Sequence, residues 1–266
     1  MSQPLTPPRG KKFEIKEYDP AYEGDESKDA AEVELATLRL RLDELQNLLY
    51  ADDRFAMLIV LQAIDAGGKD GTIKSVFQQV GPLGCSVVSF GVPSKHELAH
   101  DYLWRYHREA PGRGDVVIFN RSHYESVLVE RVQGLAPKEV WKARYDQINQ
   151  FESYLSGQGT VVMKFFLHIS REEQRERLQA RVDDPRKRWK FRMGDLEDRK
   201  LWDEYQAAFE DMVDNCNTEE APWHVVPANH NWYRDLAVAR ALVKKLEGMD
   251  LRYPEAEPGV AGMRVT

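Results

Sequence analysis

The sequence has few of the features that would assign it to a special class. Only two cysteines occur in 266 residues, Cys85 and Cys216. They stand far apart with no C-x-x-C spacing, which argues against a disulfide framework and against a thiolate zinc site. Both read most simply as small buried apolar residues. No run of eighteen apolar residues exists, so no membrane span is expected. The first twenty residues, "MSQPLTPPRGKKFEIKEYDP", contain no apolar core of the kind a secretory leader needs, and the expected location is the cytoplasm. No internal repeat or low-complexity tract appears. Positive charge is in deficit, with a net charge of −7. A polyanion would be repelled by the chain as a whole, so any phosphate-rich ligand must meet local concentrations of Lys and Arg.

What is present suits a globular α/β chain, with 42% hydrophobic and 30% charged residues. Residues 1–26, rich in Pro, Gly and charge, are expected to form an irregular or mobile arm. Ser27 to Tyr50 places Val33, Leu35, Leu38, Leu42, Leu45 and Leu49 at helical spacing and predicts a packing helix. "FAMLIVLQ", Phe55 to Gln62, is continuously apolar, as in a parallel strand buried on both faces. Further strands are predicted at "SVVSF" from Ser86, "DVVIFN" from Asp115, "VVMKFFLHI" from Val161 and "WHVVPA" from Trp223, with helical stretches beginning near Ser94, Ser122, Pro137, Ser170, Leu196 and Asn231. Alternating strands and helices predict a doubly wound α/β fold with a parallel sheet of about five strands. The division expected is an arm and packing helix over 1–50 and a main domain over 51–266, with a helical lid at about 171–217.

The stretch "AIDAGGKDGTIK" nearly spells the phosphate-binding pattern G-x-x-x-x-G-K-[ST] and departs from it at both ends. Gly68 and Lys69 match; Ala63 replaces the first Gly and Asp70 the Ser or Thr. Strand, Gly-rich turn and helix is nonetheless the context that pattern requires. Gly67, Gly68 and Gly71 would let phosphate approach backbone N–H groups at a helix start, and Lys69 would add charge. Asp65 inside the loop would repel phosphate unless magnesium lies between them or it takes a proton. It reads as a metal ligand or as a base orienting the attacking oxygen, against the plain alternative of a turn residue. Asp70 reads equally as a helix cap or as part of the site.

A second constellation follows the strand ending at Phe119: "NRSHYE", where ligands bind in open α/β sheets. Arg121 can clamp phosphate bidentately. Asn120 stands where a nucleoside triphosphatase has an acid, and Glu125, a turn later, could restore that charge. Ser122 and Glu125 also have ordinary readings as a cap and a first-turn acid. A third, "RVDDPRKRWKFR" from Arg181 to Arg192, sets six cations against two acids around Trp189 and reads as a mobile basic wall within the lid. "HELAH", His96 to His100, formally matches a zinc-peptidase pattern, but Ser94 and Glu97 make a capping box that explains the acid without metal.

Together "DAGGKDGTIK", "FNRSHYE", "DDPRKRWKFRMGDLEDRKLWDEY" and "APWHVVPANHNWYRDLAVAR" resemble the polyphosphate kinase 2 family, in order, from about Ser27 to Leu246. The "FNRSHYE" form resembles the class III branch, where "FDRSWYN" is the commoner family version. The resemblance implies a three-layer α/β/α P-loop kinase fold, thymidylate kinase-like, with a helical lid. It implies phosphoryl transfer between inorganic polyphosphate and nucleoside mono- and diphosphates (AMP to ADP, ADP to ATP), reversible and without a covalent intermediate, with Mg2+, or Mn2+ in its place. Adenine nucleotides, and guanine nucleotides as further acceptors, are the implied partners, in a homo-oligomer with no nucleic acid and no membrane. By that likeness Asp65 would hold the metal, with Asn120 or Glu125, or activate the acceptor. Lys69 and Arg121 would bind transferring phosphates, and Arg181 would reach over them from the lid. Gly67, Gly68, Asp70, Gly71, Thr72, Lys74, Asn120, Glu125, Lys187, Arg188 and Lys190 complete the expected phosphate and nucleotide contacts. An ATP-dependent nucleoside monophosphate kinase on the same fold is the alternative.

Overall fold

The structure is a computed structural model that describes residues 5–265. Five parallel strands form one sheet in the order β2-β3-β1-β4-β5. They are β1 (Ala56–Gln62), β2 (Cys85–Ser89), β3 (Val116–Asn120), β4 (Thr160–His168) and β5 (Trp223–Pro227). The chain begins with α1 (Lys28–Asp52), capped by Ser27, whose side chain accepts from the Ala30 N–H. It continues through α2 (Lys69–Val76), the one-turn helices α3 (Lys95–Leu98) and α4 (Trp104–His107), α5 (Val129–Val132) and α6 (Lys138–Gly157). The last helices are α7 (Arg171–Asp183), α8 (Gly194–Lys200), α9 (Trp202–Cys216) and α10 (Asn231–Glu247).

All five predicted strands are present. β1 is buried along its whole length, as its unbroken apolar sequence requires of a central strand covered on both faces. Its register on β4 pairs Val60 with Lys164, so alternate residues of the two strands share a face. Lys164 and Phe166 meet α6 and α9, through Glu152 and Phe209. Met57 and Ile59 point the other way, to a small apolar cavity shared with Leu42, Phe77 and Leu246 of α1, the end of α2 and α10. Helices therefore cover both faces, giving three layers.

Two stretches differ from the sequence reading. The expected arm over 1–26 is irregular, with a single 3-10 turn at Ile15–Glu17, but from residue 5 on it is packed against the core; residues 1–4 lie outside the described residues. Phe13, Ile15 and Tyr18 are buried in the core, and the Val225 N–H of the edge strand β5 donates to the Leu5 carbonyl at 2.7 Å. The helix expected near Ser122 is a single 3-10 turn, His123–Ser126. Within 171–217 the helices divide into two kinds. α7 buries only Gln174 and Leu178, whereas α9 buries seven residues, including Tyr205, Phe209 and Met212, and belongs to the core. After α10 the chain runs exposed from Arg252 to Val265. Among the described residues no helix is long and apolar enough to cross a membrane.

Candidate active site

The carboxyl ends of β1 and β3 lie side by side, with Leu61 paired to Asn120. The loop 63–68 leaves β1 there and turns into α2. Its glycines have geometric reasons. A Cβ at Gly67 would overlap the Ala63 Cβ, and Gly68 lies at φ +102° as the residue before the helix. Ala66 is also left-handed, at φ +63°, which costs a non-glycine residue about 1–2 kcal/mol.

Lys69 folds back over the loop, and its Nζ donates to the Ala63 carbonyl at 2.8 Å. Burial, with Arg121 close by, brings its pKa down to about 8. Arg121, at φ +66° directly after β3, donates from Nη2 to Asp65 Oδ1 at 2.9 Å and stands 3.9 Å from Glu125. One guanidinium thus sits between two carboxylates, which lets acids remain beside a phosphate loop. Burial raises the pKa of Glu125 against the opposing pull of Arg121 and Lys69.

Asn120 donates to Asp70 Oδ1 at 2.8 Å, and Lys190 approaches the same carboxylate at 3.5 Å. Burial works to raise the Asp70 pKa, but Asn120 and Lys190 outweigh it and hold the group below its usual range. The basic run therefore reaches the loop through Lys190, whose ammonium also lies over the Trp189 ring. Arg181 pairs with Asp195 at 3.8 Å. Lys187 and Arg188 bond within their own segment, to Asp184 and to the Val182 carbonyl. Lys74 is exposed on α2, a turn beyond Asp70. Thr72 is not presented at the loop mouth: it is fully buried and its hydroxyl donates to the Gly68 carbonyl at 3.2 Å. At α3 both hydrogen bonds of the Ser94–Glu97 capping box are formed, and His100 stacks on Trp104.

Three residues that close on the loop escaped the sequence reading. Gln174 donates to the Asp65 carbonyl at 3.1 Å, and Arg177 donates to the Ala66 carbonyl at 3.2 Å. Arg234 of α10 fills the space beside Gly68, where a Cβ would overlap its Nη1. Their spacing gave one usable signal: Gln174, Arg177 and Arg181 recur on one face of α7. Beneath "NRSHYE" lies a closed ionic network. Lys164 Nζ donates to Glu152 at 2.6 Å, to the Tyr124 hydroxyl at 2.7 Å and to the Cys216 carbonyl at 2.7 Å. His123 Nε2 is 3.0 Å from the same Glu152.

The architecture and these motifs have close counterparts. The family model described as Polyphosphate kinase 2 (PPK2) matches residues 25–254. The AMP/ADP-polyphosphate phosphotransferase of Meiothermus ruber is 57% identical over 250 residues, spanning 92% of this chain and 93% of its own. The ADP-polyphosphate phosphotransferase of Rhodopseudomonas palustris is 43% identical over 252 residues, 90% of this chain and 86% of its own. The crystal structure of polyphosphate kinase 2 from Arthrobacter aurescens TC1 superposes with a TM-score of 0.93 at 40% identity, covering 97% of this chain and 92% of that one. This chain belongs to the polyphosphate kinase 2 family.

Proposed function

We propose that this protein transfers phosphoryl groups from inorganic polyphosphate to AMP and to ADP, in the manner of the class III branch, and runs reversibly. The observation that carries the reading is the meeting of Lys69, Asp65, Arg121 and Glu125 at a glycine-bent loop where two parallel strands end. Phosphoryl transfer asks mainly for alignment and charge neutralisation, and this set offers both. The α2 N-terminus and Lys69 would hold the donor phosphates. Arg121 would neutralise charge on the transferring group, and Asp65 would orient the acceptor oxygen for in-line attack. The basic segment carrying Arg181, Lys187, Arg188 and Lys190 would close over the phosphate chain. Direct transfer suits the burial of His123, which is wholly enclosed and engaged by Glu152.

Magnesium fits the donor set. Asp65 and Glu125 supply hard oxygen ligands beside a phosphate loop, and magnesium is commonly held by one or two carboxylates together with substrate phosphates and water. Asp65 would hold it, joined by Glu125 or Asn120, and it would withdraw charge from the phosphates; manganese would serve the same ligands. Adenine nucleotides are the acceptors proposed, with guanine nucleotides as further ones, and the working unit is a homo-oligomer. Two free cysteines and phosphorylated metabolites as substrates suit the cytoplasm.

The test is direct. Purified protein given ADP, polyphosphate and magnesium, with no ATP, is expected to make ATP, and given AMP it is expected to make ADP. Turnover only when ATP is the donor would replace this reading with that of a nucleoside monophosphate kinase.

A further inference from the structure

The lid-bearing helix α7 touches the phosphate loop through two hydrogen bonds that no phosphate contact requires. Gln174 is 1% exposed on a helix that is otherwise mostly solvated. Its amide is used at both ends: Nε2 donates to the Asp65 carbonyl at 3.1 Å, and Oε1 accepts from Arg199 Nη1 at 2.8 Å. One turn on, Arg177 Nη1 donates to the Ala66 carbonyl at 3.2 Å. The rest of its guanidinium is anchored, Nε on Glu173 at 2.6 Å and Nη2 on the Ala228 carbonyl at 2.6 Å. The two carbonyls held are consecutive, and they flank the one non-glycine residue of the loop in a left-handed conformation, Ala66 at φ +63°.

A backbone in that region persists where its surroundings over-determine it. In a trans peptide the carbonyl and the following N–H point in opposite directions. Fixing the Asp65 carbonyl toward α7 therefore turns the Ala66 N–H away from α7, and it also fixes the backbone that carries the Asp65 carboxylate. From this we infer that Gln174 and Arg177 are positioning residues: they hold Ala66 in its left-handed state and so set the aim of the loop N–H groups and of the Asp65 carboxylate. Because Arg181 lies one turn beyond Arg177 on α7, the loop and the root of the lid are a single mechanical piece. This rests on the phosphotransferase reading above.

The experiment is a rescue cycle on the full-length protein, read as polyphosphate-dependent ATP formation from ADP. Gln174→Met and Arg177→Met keep bulk and remove the donors. Each is expected to lower kcat at least tenfold, with a smaller change in KM for polyphosphate. Glycine adopts the left-handed state without the steric penalty of a Cβ. Set against Ala66→Gly alone, the double variants Ala66→Gly/Gln174→Met and Ala66→Gly/Arg177→Met are therefore expected to lose no more than about threefold. A loss of the same size in both backgrounds would overturn the inference and make these two residues substrate contacts or general fold supports. Full activity in the single variants would overturn it as well. If the unaltered protein fails to make ATP, the phosphotransferase reading fails instead, and the cycle separates the two.

Discussion

At the scale of single residues, Lys69 is a group whose charge the site alters strongly. Its pKa near 8 means that the free protein loses this proton in mildly alkaline solution, while the unfolded chain keeps it to about 10.5. In that window the unfolded state binds more protons, so this group's contribution to stability rises with pH. An arriving polyanion acts in the opposite sense and favours the ammonium. Tripolyphosphate binding at pH 8.5 is therefore expected to take up a proton, seen as a dependence of calorimetric heat on buffer ionisation enthalpy. Lys69→Met is expected to abolish that uptake; persistence of the full uptake in the variant would separate Lys69 from the anion. Lys69 and Asp65 were legible because a Gly-rich turn after an apolar strand announces itself locally, and Arg121 because it stands at the carboxyl end of a second apolar strand. Gln174, Arg177 and Arg234 were not, because each acts on a loop remote in the chain, 109 positions away for Gln174 and 111 for Arg177, and looks, in its own neighbourhood, like ordinary helix surface.

Among elements, the 3-10 turn that carries Glu125 depends on a neighbouring helix and strand. Its His123 and Tyr124 close on Glu152 of α6 and Lys164 of β4, all fully or nearly fully buried. Burial works to raise the Glu152 pKa, but Lys164 and His123 prevail and hold it below the ordinary value of 4.5. The stability it contributes is thus present above that pH and lost on acidification through the lowered pKa. Removing one partner strands the other charge in the core. Glu152→Leu is expected to cost about 3–5 kcal/mol in urea unfolding, and Glu152→Leu with Lys164→Met distinctly less. Equal losses would mean that the pair is not coupled. The strand sequence hid this network, since nothing local to "VVMKFFLHI" marks the partners Glu152 and Tyr124 that Lys164 meets from other elements. The turn at Ser122 was mistaken for a helix because its cap residue and acid match a helix start, while the ring contacts that bury His123 and Tyr124 come from distant segments.

Across the whole molecule, the number of strands and the doubly wound, parallel layering followed from periodicity, because a central parallel strand must be apolar on both faces; the strand order β2-β3-β1-β4-β5 comes from the structure. The N-terminal segment did not follow, since Pro, Gly and charge there conceal three anchoring aromatics and aliphatics. Phe13, Ile15 and Tyr18 enter the core, and the Phe13 and Ile15 N–H groups donate to Asp214 and Glu210 of α9. Phe13→Ala is expected to cost about 3–5 kcal/mol of unfolding free energy. It should shift the thermal midpoint downward while leaving the KM for polyphosphate near its original value at a temperature where the variant is folded. A changed KM with an unchanged midpoint would show that this segment serves the site rather than the core.

The segments before α1 and after α10 are unequally tied to the fold. The leading segment is laced along the β5 margin by the Leu5–Val225 bond, so a bulky fusion there pulls on a seam of the sheet. The described residues after α10, from Arg252 to Val265, lie in solvent and tether with less strain. For coupling the protein to a resin or to a second enzyme, the carboxyl-terminal side offers a leash that can be tugged without disturbing the fold.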